Sequence, residues 1–466
     1  MHKSQEGESI FTIEEGRRRA RVIGNSEILD LAGKTGALDQ LLNISELPGI
    51  FMEPVGLPDI HQGYGFPIGA VAAFTVENGI VSPGGIGYDI NCGVSLFSTG
   101  LRKSEISGNI KDILENIWNL VPVGIKKSRF KPNADDMQEI IGTGLKWAVS
   151  NGYSVNEDMM RTEHSGSMNC SDTSSVSEMA IERGRNYIGT LGSGNHFIEI
   201  QFADRIYDHE TASGFGIEEG MVYVMIHSGS RGLGHQVAVD YIEEIKQKFP
   251  EQKVPDEQLH YAPLGTVTAD RYLSAMNGAA NYGFVNRQIM MANVRKSFRS
   301  ALGDKFDYDS SKLVYSLSHN IATFEKFQDG REILVHRKGA TAAFGPGEAE
   351  GIFRETGHPI LVPGSMGTRS YVMVGNAGTQ NIAFSSSCHG AGRILSRKKA
   401  KEIIDYNDVI SNLSGKGISI KTDSHYSVLE EAPQSYKDIG QVVSSMEKSG
   451  ISRPVASLFP IGVIKG

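Results

Sequence analysis

This chain repeatedly places a potential metal ligand among small residues beside an apolar run, and the stretches that do so lie far apart in sequence. The sharpest is Ser82-Pro83-Gly84-Gly85-Ile86-Gly87-Tyr88-Asp89-Ile90-Asn91-Cys92-Gly93, where a carboxylate and a thiol stand three residues apart among four glycines. Asp-x-x-Cys sets an oxygen and a sulfur donor within one turn of irregular backbone, and the glycines permit the tight φ and ψ that aim both inward. Such a loop is half of a site. Gly194-Asn195-His196, His227-Ser228-Gly229-Ser230-Arg231, Ser318-His319-Asn320 and Cys388-His389-Gly390-Ala391-Gly392-Arg393 are each able to converge on it. A fold that satisfies this pattern gathers distant loops at one edge of a sheet.

With 466 residues the chain is long enough for two or three domains, or for one large domain with insertions. Its 54 glycines exceed the average share of about 7% and imply many tight turns. The charged N-terminal stretch has no apolar core of a secretory signal, and no apolar run approaches the ~18 residues of a membrane-spanning helix, so a cytoplasmic protein with no membrane partner is expected. Three scattered cysteines, Cys92, Cys170 and Cys388, are too few for a disulfide framework and suit a reducing compartment. The net charge of −8 gives no global attraction for nucleic acid. Any RNA contact must be local, at Arg17 to Arg21, Lys126 to Lys131 or Arg393 to Lys401, runs that also occur as plain solvated faces.

Residues 1 to about 50 carry no usable motif. Pro58 to Gly69 reads as a turn-rich loop feeding a buried strand at Ala70 to Phe74. Ile106, Ile110, Ile113, Leu114 and Ile117 predict an amphipathic helix over 105–120, and further helical patterns lie at 236–249 and 270–298. The polar, Ser- and Asn-rich stretch 151–177 reads as a long loop or insertion, with the character of a mobile lid. Short β-like runs at Phe197 to Ile200, Met221 to Ile226, Leu313 to Leu317, Ile333 to Val335 and Ile360 to Val362 then alternate with the motifs. His196 opens one such run, and His227 and His319 follow two others.

Asp89, Cys92, His196, His227 and His319 form an O, S, N, N, N donor set, enough for two metal ions if the thiolate bridges them. Any one of these histidines alone would be as well explained as a satisfied, partly buried residue. His389 has a different context: the small residues after it let backbone N–H groups approach a phosphate, and Arg393 is able to pair with an oxyanion. A neutral imidazole is itself a nucleophile near pH 7, although a sixth metal ligand or a general acid would fit the same position. Gly364-Ser365-Met366-Gly367-Thr368 suits phosphate or ribose contacts and equally a turn. No Gly-x-x-x-x-Gly-Lys-Ser/Thr run is present, which excludes a P-loop.

As a group, and from about residue 50 to Gly466, these motifs resemble the RtcB family of RNA-splicing ligases. The resemblance rests on Pro58 to Gly65, Gly84 to Gly93, Gly189 to Phe197, His227 to Gly232, His336 to Thr341, Gly364 to Thr368, His389 to Arg393 and Lys465-Gly466, in that order. It implies an α+β fold peculiar to the family, one catalytic domain over 1–466 with mixed sheets and flanking helices around a central metal and nucleotide cleft. It also implies a GTP- and manganese-dependent ligase that joins RNA 3′-phosphate or 2′,3′-cyclic phosphate ends to 5′-hydroxyl ends in RNA repair or tRNA splicing, with room for an activating protein partner. On the matching positions Asp89, Cys92 and His196 would hold one Mn²⁺, and Cys92, His227 and His319 the second. His389 would carry GMP. Asn195, Glu199, Asn320, Pro363, Gly364, Ser365, Met366, Ser370, Tyr436, Gly390, Ala391, Gly392 and Lys465 would contact the nucleotide.

Imidazole and thiolate donors by themselves suit zinc or iron, whereas the resemblance implies manganese, with phosphates supplying further oxygens. Ser95 and Ala342 stand where arginine is frequent in the family, a loss that would weaken RNA-phosphate contacts. That departure motivates a second expectation, an enzyme that guanylylates 3′-phosphate ends of RNA or DNA without efficient sealing. Two others are a dinuclear phosphodiesterase and a non-catalytic nucleic-acid-binding protein with a structural metal site.

Overall fold

The computed structural model describes residues 1–466 and is an α+β structure built on two large mixed sheets. The first sheet has seven strands in the order His2–Gly7, Ile10–Glu15, Arg18–Ile23, Ile50–His61, Ile68–Thr75, Glu332–Lys338 and Asn320–Lys326. Its first three strands come from the N-terminal stretch in which no motif is legible. The helices Ser26–Lys34 and Ala37–Ile44 then cover this part of the sheet, burying Ile28, Leu29, Leu38, Leu41 and Leu42. The second sheet runs Leu313–Ser318, Gly93–Arg102, Met221–Ser228, Phe197–Ile206, Ser452–Lys465, Ser370–Gly375 and Pro359–Val362, with Ser419–Thr422 paired in parallel to Ser452–Lys465.

At one point the chain passes from one sheet to the other through a single residue. Leu313–Ser318 belongs to the second and Asn320–Lys326 to the first, so His319 is the whole connection between them. Its backbone N–H donates to the Cys92 carbonyl at 2.9 Å, which ties the loop ahead of Gly93–Arg102 to the same seam. The longest helix, Val267–Leu302, is buried on most of its surface because it is a core element, with Tyr272, Met276, Phe284 and Met290 among its buried residues. It also carries Asn281, Asn286 and Arg287, buried polar groups that bond loop backbone rather than one another.

The expected helix over 105–120 is two, Lys103–Ile106 and Ile110–Leu120, interrupted at Ser107 to Asn109. Strand Ile50–His61 takes up the start of the stretch read as a loop from Pro58. Segment 151–177 is no free lid: it holds the helix Asn156–Met160 and two short 3-10 turns. Glu163 accepts from the backbone N–H of Ser318 at 2.6 Å and from its hydroxyl at 2.8 Å, and Asp158 accepts from Gln288 at 2.7 Å. Part of the polar composition here, Asp158 and Glu163 above all, is thus buried hydrogen bonding under the His319 seam, while Asn151, Asn156, Asn169 and Ser171 face solvent.

Candidate metal and nucleotide site

Asn91, at φ 52°, turns the chain between Asp89 and Cys92. Arg287 fixes that turn by donating to the Asn91 carbonyl at 2.9 Å, to Asn91 Oδ1 at 3.0 Å and to the Ser228 carbonyl at 2.9 Å. One buried guanidinium thereby locks two ligand-bearing segments together. Gly229 permits the approach: a Cβ there would stand 2.4 Å from Asp89 Oδ1 and 2.8 Å from the Cys92 Cα. Asn320 closes the other side, donating from its side chain to the Asp89 carbonyl at 3.0 Å and accepting from Gly339 N–H at 2.9 Å.

The five expected metal ligands are brought together. Cys92 Sγ lies 3.4 Å from His196 Nε2 and 3.3 Å from His227 Nε2; His227 Nε2 is 3.2 Å from His319 Nε2, and His196 Nε2 is 2.9 Å from Asp89 Oδ2. The sulfur thus sits between two imidazoles, each with a further donor behind it. His196 Nδ1 lies 3.0 Å from the Leu191 carbonyl and 3.3 Å from Arg231 Nη1; the tautomer that donates to the carbonyl leaves Nε2 free to ligate. Burial, reinforced by neighbouring cationic and imidazole groups, pushes His227 and His319 well below the ordinary imidazole range, so both are neutral donors. Burial and then the Asp89 carboxylate push the Cys92 thiol well up, and only a bound cation would make thiolate the favoured form. Asp89 Oδ1 is buried with no hydrogen-bond partner. Apposed donor atoms and an unpartnered carboxylate oxygen in one buried place fit a metal centre.

A cleft of about 520 Å³ opens over these ligands. Asp89, Cys92, His227 and His319 lie in its wall with Asn195, Glu199, Asn320, Pro363, Gly364, Ser365, Met366, His389, Gly390, Ala391, Gly392, Tyr436 and Lys465. Two expected residues do not line it. His196 faces a smaller neighbouring cavity, and Ser370 stands behind the wall, where its hydroxyl accepts from Gln201 at 3.0 Å and from Gly364 N–H at 3.2 Å.

His389 is held edge-on to His319, ring centroids 4.9 Å apart. Its Nδ1 lies 2.5 Å from Asp59 Oδ2, which also accepts from the His389 backbone N–H at 2.9 Å. Burial would raise the Asp59 carboxyl, but His389 and Lys437 outweigh it and hold the group below the ordinary range. Ionised Asp59 therefore takes the Nδ1 proton side and leaves Nε2 with a free lone pair. Gly339, at φ 61°, makes room: a Cβ there would come within 2.8 Å of Gly69 N and 3.0 Å of His389 Cε1.

At the other end of the cleft Glu431, its side chain 1% exposed, gathers Arg393 at 3.1 Å, Arg397 at 3.2 Å and Lys465 at 3.8 Å, and accepts from the Tyr436 hydroxyl. Burial opposes its charge, but Lys465, Arg393 and Arg397 together hold its pKa down to about 2. Glu199 is the opposite case: burial raises it to about 7, only partly relieved by the Gln201 hydrogen bond and Lys465. Lys465 is neither frayed nor solvated, because Ser452–Lys465 is an inner strand paired to Phe197–Ile206 through Lys465 itself. Asp59 and Glu431 escape sequence reasoning. Asp59 lay inside a quoted motif with nothing to single it out, and Glu431 in no motif at all.

Comparison with known proteins decides the lineage. The family model described as tRNA-splicing ligase RtcB matches residues 40–466. The chain belongs to the RtcB family. The Archaeoglobus fulgidus tRNA-splicing ligase RtcB is 44% identical over 438 residues, covering 92% of this chain and 91% of that protein. Its counterpart in Nanoarchaeum equitans is 44% identical over 453 residues, 96% and 95% of the two chains, and that of Thermococcus kodakarensis 42% over 454 residues, 96% and 94%. Within this family frame, the two positions expected to lack RNA-binding arginines are interior. Ser95 bonds Ser316 at 2.7 Å, Ala342 sits in a short strand, each is 3% exposed, and neither lines the cleft. The departure takes no charge from the cleft wall.

Proposed function

We propose that this RNA ligase of the tRNA-splicing family joins RNA 3′-phosphate or 2′,3′-cyclic phosphate ends to 5′-hydroxyl ends at the expense of GTP, through a His389–GMP intermediate, in the cytoplasm. The supporting observation is the placement of His389: its Nδ1 is held by Asp59 and its ring stands against the ligand His319, in the cleft that Lys465, Tyr436 and Ser365 also line. The lone pair on Nε2 forms a bond to the α-phosphorus of GTP, and the bond to pyrophosphate breaks. In the neutral ring whose Nδ1–H donates to Asp59, the attack needs no separate base. An oxygen of the RNA 3′-phosphate then attacks the same phosphorus and releases His389, which converts a poor electrophile into an activated diester. The 5′-hydroxyl oxygen attacks the RNA phosphorus, loses its proton and expels GMP. Cyclic phosphate ends are first opened by water to 3′-phosphate.

The donor set fits two ions, one held by Asp89, Cys92 and His196 and one by Cys92, His227 and His319; Mn²⁺ there would neutralise charge developing on phosphoryl oxygens. The chain's own residues do the rest. Asp59 fixes the imidazole, Glu431 sets the positions of Tyr436 and Lys465, and the backbone at Gly390 to Gly392 offers N–H groups beside the nucleophile.

Incubation with Mn²⁺ and α-labelled GTP is expected to give acid-labile protein-bound label that is absent in His389→Ala. Ligation of RNA bearing 2′,3′-cyclic phosphate and 5′-hydroxyl ends completes the test. No labelled protein and no joined product would refute the reading; labelled protein without joined product would favour a guanylylating enzyme that does not seal.

A further inference from the structure

Between Glu115 and Asp135 the sequence has no acidic residue and four basic ones, Lys126, Lys127, Arg129 and Lys131, in a chain whose net charge is −8. All four are exposed and none is in an ion pair. Some exposed basic residues elsewhere, such as Lys401, Arg331 and Lys448, have carboxylate partners, and others, such as Lys111 and Lys253, stand unpaired but singly, whereas here four lie within six residues. The cluster extends across Trp118, whose ring has Lys126 Nζ at 4.7 Å and Lys421 Nζ at 5.5 Å. Beside it Ile125 projects, 88% exposed. Carboxylates touch only its margin: Glu115 is bound to Lys421, and Asp423 lies against Gly124.

This loop is pinned. Leu191 N–H donates to the Pro122 carbonyl at 3.0 Å and Gly124 N–H to the Gly192 carbonyl at 2.9 Å, while Ser128 N–H donates to the Asn186 carbonyl at 2.8 Å. Phe130 packs on Trp147 and Tyr153 at the far end. The anchoring strand-like segment at Leu191–Gly192 continues directly into Asn195 of the cleft wall, and Lys421 pairs in register with Ile464, next to Lys465. Both margins of the cluster are therefore hydrogen-bonded to segments that end inside the cleft.

We propose that the surface formed by Ile125 to Lys131, Trp118 and Lys421 holds the RNA strand outside the reacting end. Lys126, Lys127, Arg129 and Lys131, which carry no ion pair, release counterions on meeting phosphodiesters, Lys421 at the margin is shared with Glu115, and an aromatic face with an apolar neighbour accepts a base of any identity. An ion-paired surface would gain less, since its own partners already neutralise it. The contact is one of backbone and stacking, so it favours long RNA over short without reading sequence.

The inference rests on RNA being the substrate, and the test separates the two. In the full chain, Lys126→Ala/Lys127→Ala/Arg129→Ala is compared with wild type for binding and joining RNA of about twenty nucleotides, and of about three, shorter than the roughly 4–16 nucleotides that a single-strand groove tracks. For the long RNA the variant is expected to bind roughly ten- to a hundredfold more weakly, with the slope of log Kd against log salt reduced by about 2 at ~0.7 per lost phosphate contact. Joining of the short RNA and labelling by GTP stay unchanged. Trp118→Ala should weaken the long RNA without altering the salt slope. Equal affinity and slope for the long RNA, or an equal loss on both lengths, overturns the proposal. Failure of the wild type to join either RNA would instead sink the functional reading.

Discussion

Asp59 binds both the side chain and the backbone of His389, receiving Nδ1 at 2.5 Å and the main-chain N–H at 2.9 Å through a single carboxylate oxygen. The other oxygen, Oδ1, is buried and unpartnered. Such a grip fixes the ring's tautomer and its angle together, with Lys437 holding the Asp59 backbone in place through the carbonyls of Pro58 and Ile60.

Asp59→Asn should keep the fold and the metal ligands but present an amide that is able to donate to Nδ1. The favoured tautomer then carries its proton on the attacking nitrogen. Protein–GMP formation should slow by on the order of 10²–10⁴-fold, the span of a mis-set imidazole in acid–base catalysis. GTP binding should change little. A single-turnover labelling rate equal to wild type would reduce Asp59 to a packing residue.

Glu431→Gln strands three cations that share one buried carboxylate. Breaking a buried pair from one side costs about 3–5 kcal/mol, so the variant should melt at lower temperature and bind GTP more weakly through Tyr436 and Lys465. The pH sign is fixed by the depressed pKa. The contribution of Glu431 is complete above the ordinary carboxylate value of 4.5 and is lost as pH falls towards about 2. Denaturant unfolding of wild type and variant should therefore differ most at neutral pH and converge in acid; a pH-independent gap would assign the loss to shape rather than charge.

Cys92→Ser should abolish metal retention and, with it, protein–GMP formation. A hydroxyl between His196 and His227 stays protonated at neutral pH, whereas a cation readily displaces the thiol proton. Elemental analysis after gel filtration is the check. Full metal content with normal labelling in the serine variant would make Cys92 a spacer.

The convergence of Cys92, His196, His227 and His319 was readable because each sits at or beside a strand end among small residues, and a strand end is rigid enough to place a side chain. His196 precedes Phe197–Ile206, and His319 sits between two strands. The α+β class came with the family resemblance, and the two large sheets with their flanking helices agree with it. Asp59 was not readable because its partner is 330 positions away, and proximity of that kind leaves no local trace. Glu431 was opaque for another reason: its meaning lies in three cations delivered by separate segments. The 151–177 stretch misleads in the opposite direction, since Ser154, Asp158 and Glu163 within it are buried and hydrogen-bonded to the protein interior while many of its other polar residues face water.

Strand Ser452–Lys465 lies between Phe197–Ile206 and Ser370–Gly375, partners distant from it in the chain. Until it inserts, those two neighbours expose bare hydrogen-bonding edges, which is the condition under which strands pair with the wrong molecule. Assembly of this sheet is thus a long-range event that cannot be rehearsed locally, and contacts of that kind form late and slowly because their loop-closure entropy is met before they reward it; Lys465 reaches the cleft only once this inner strand is in place.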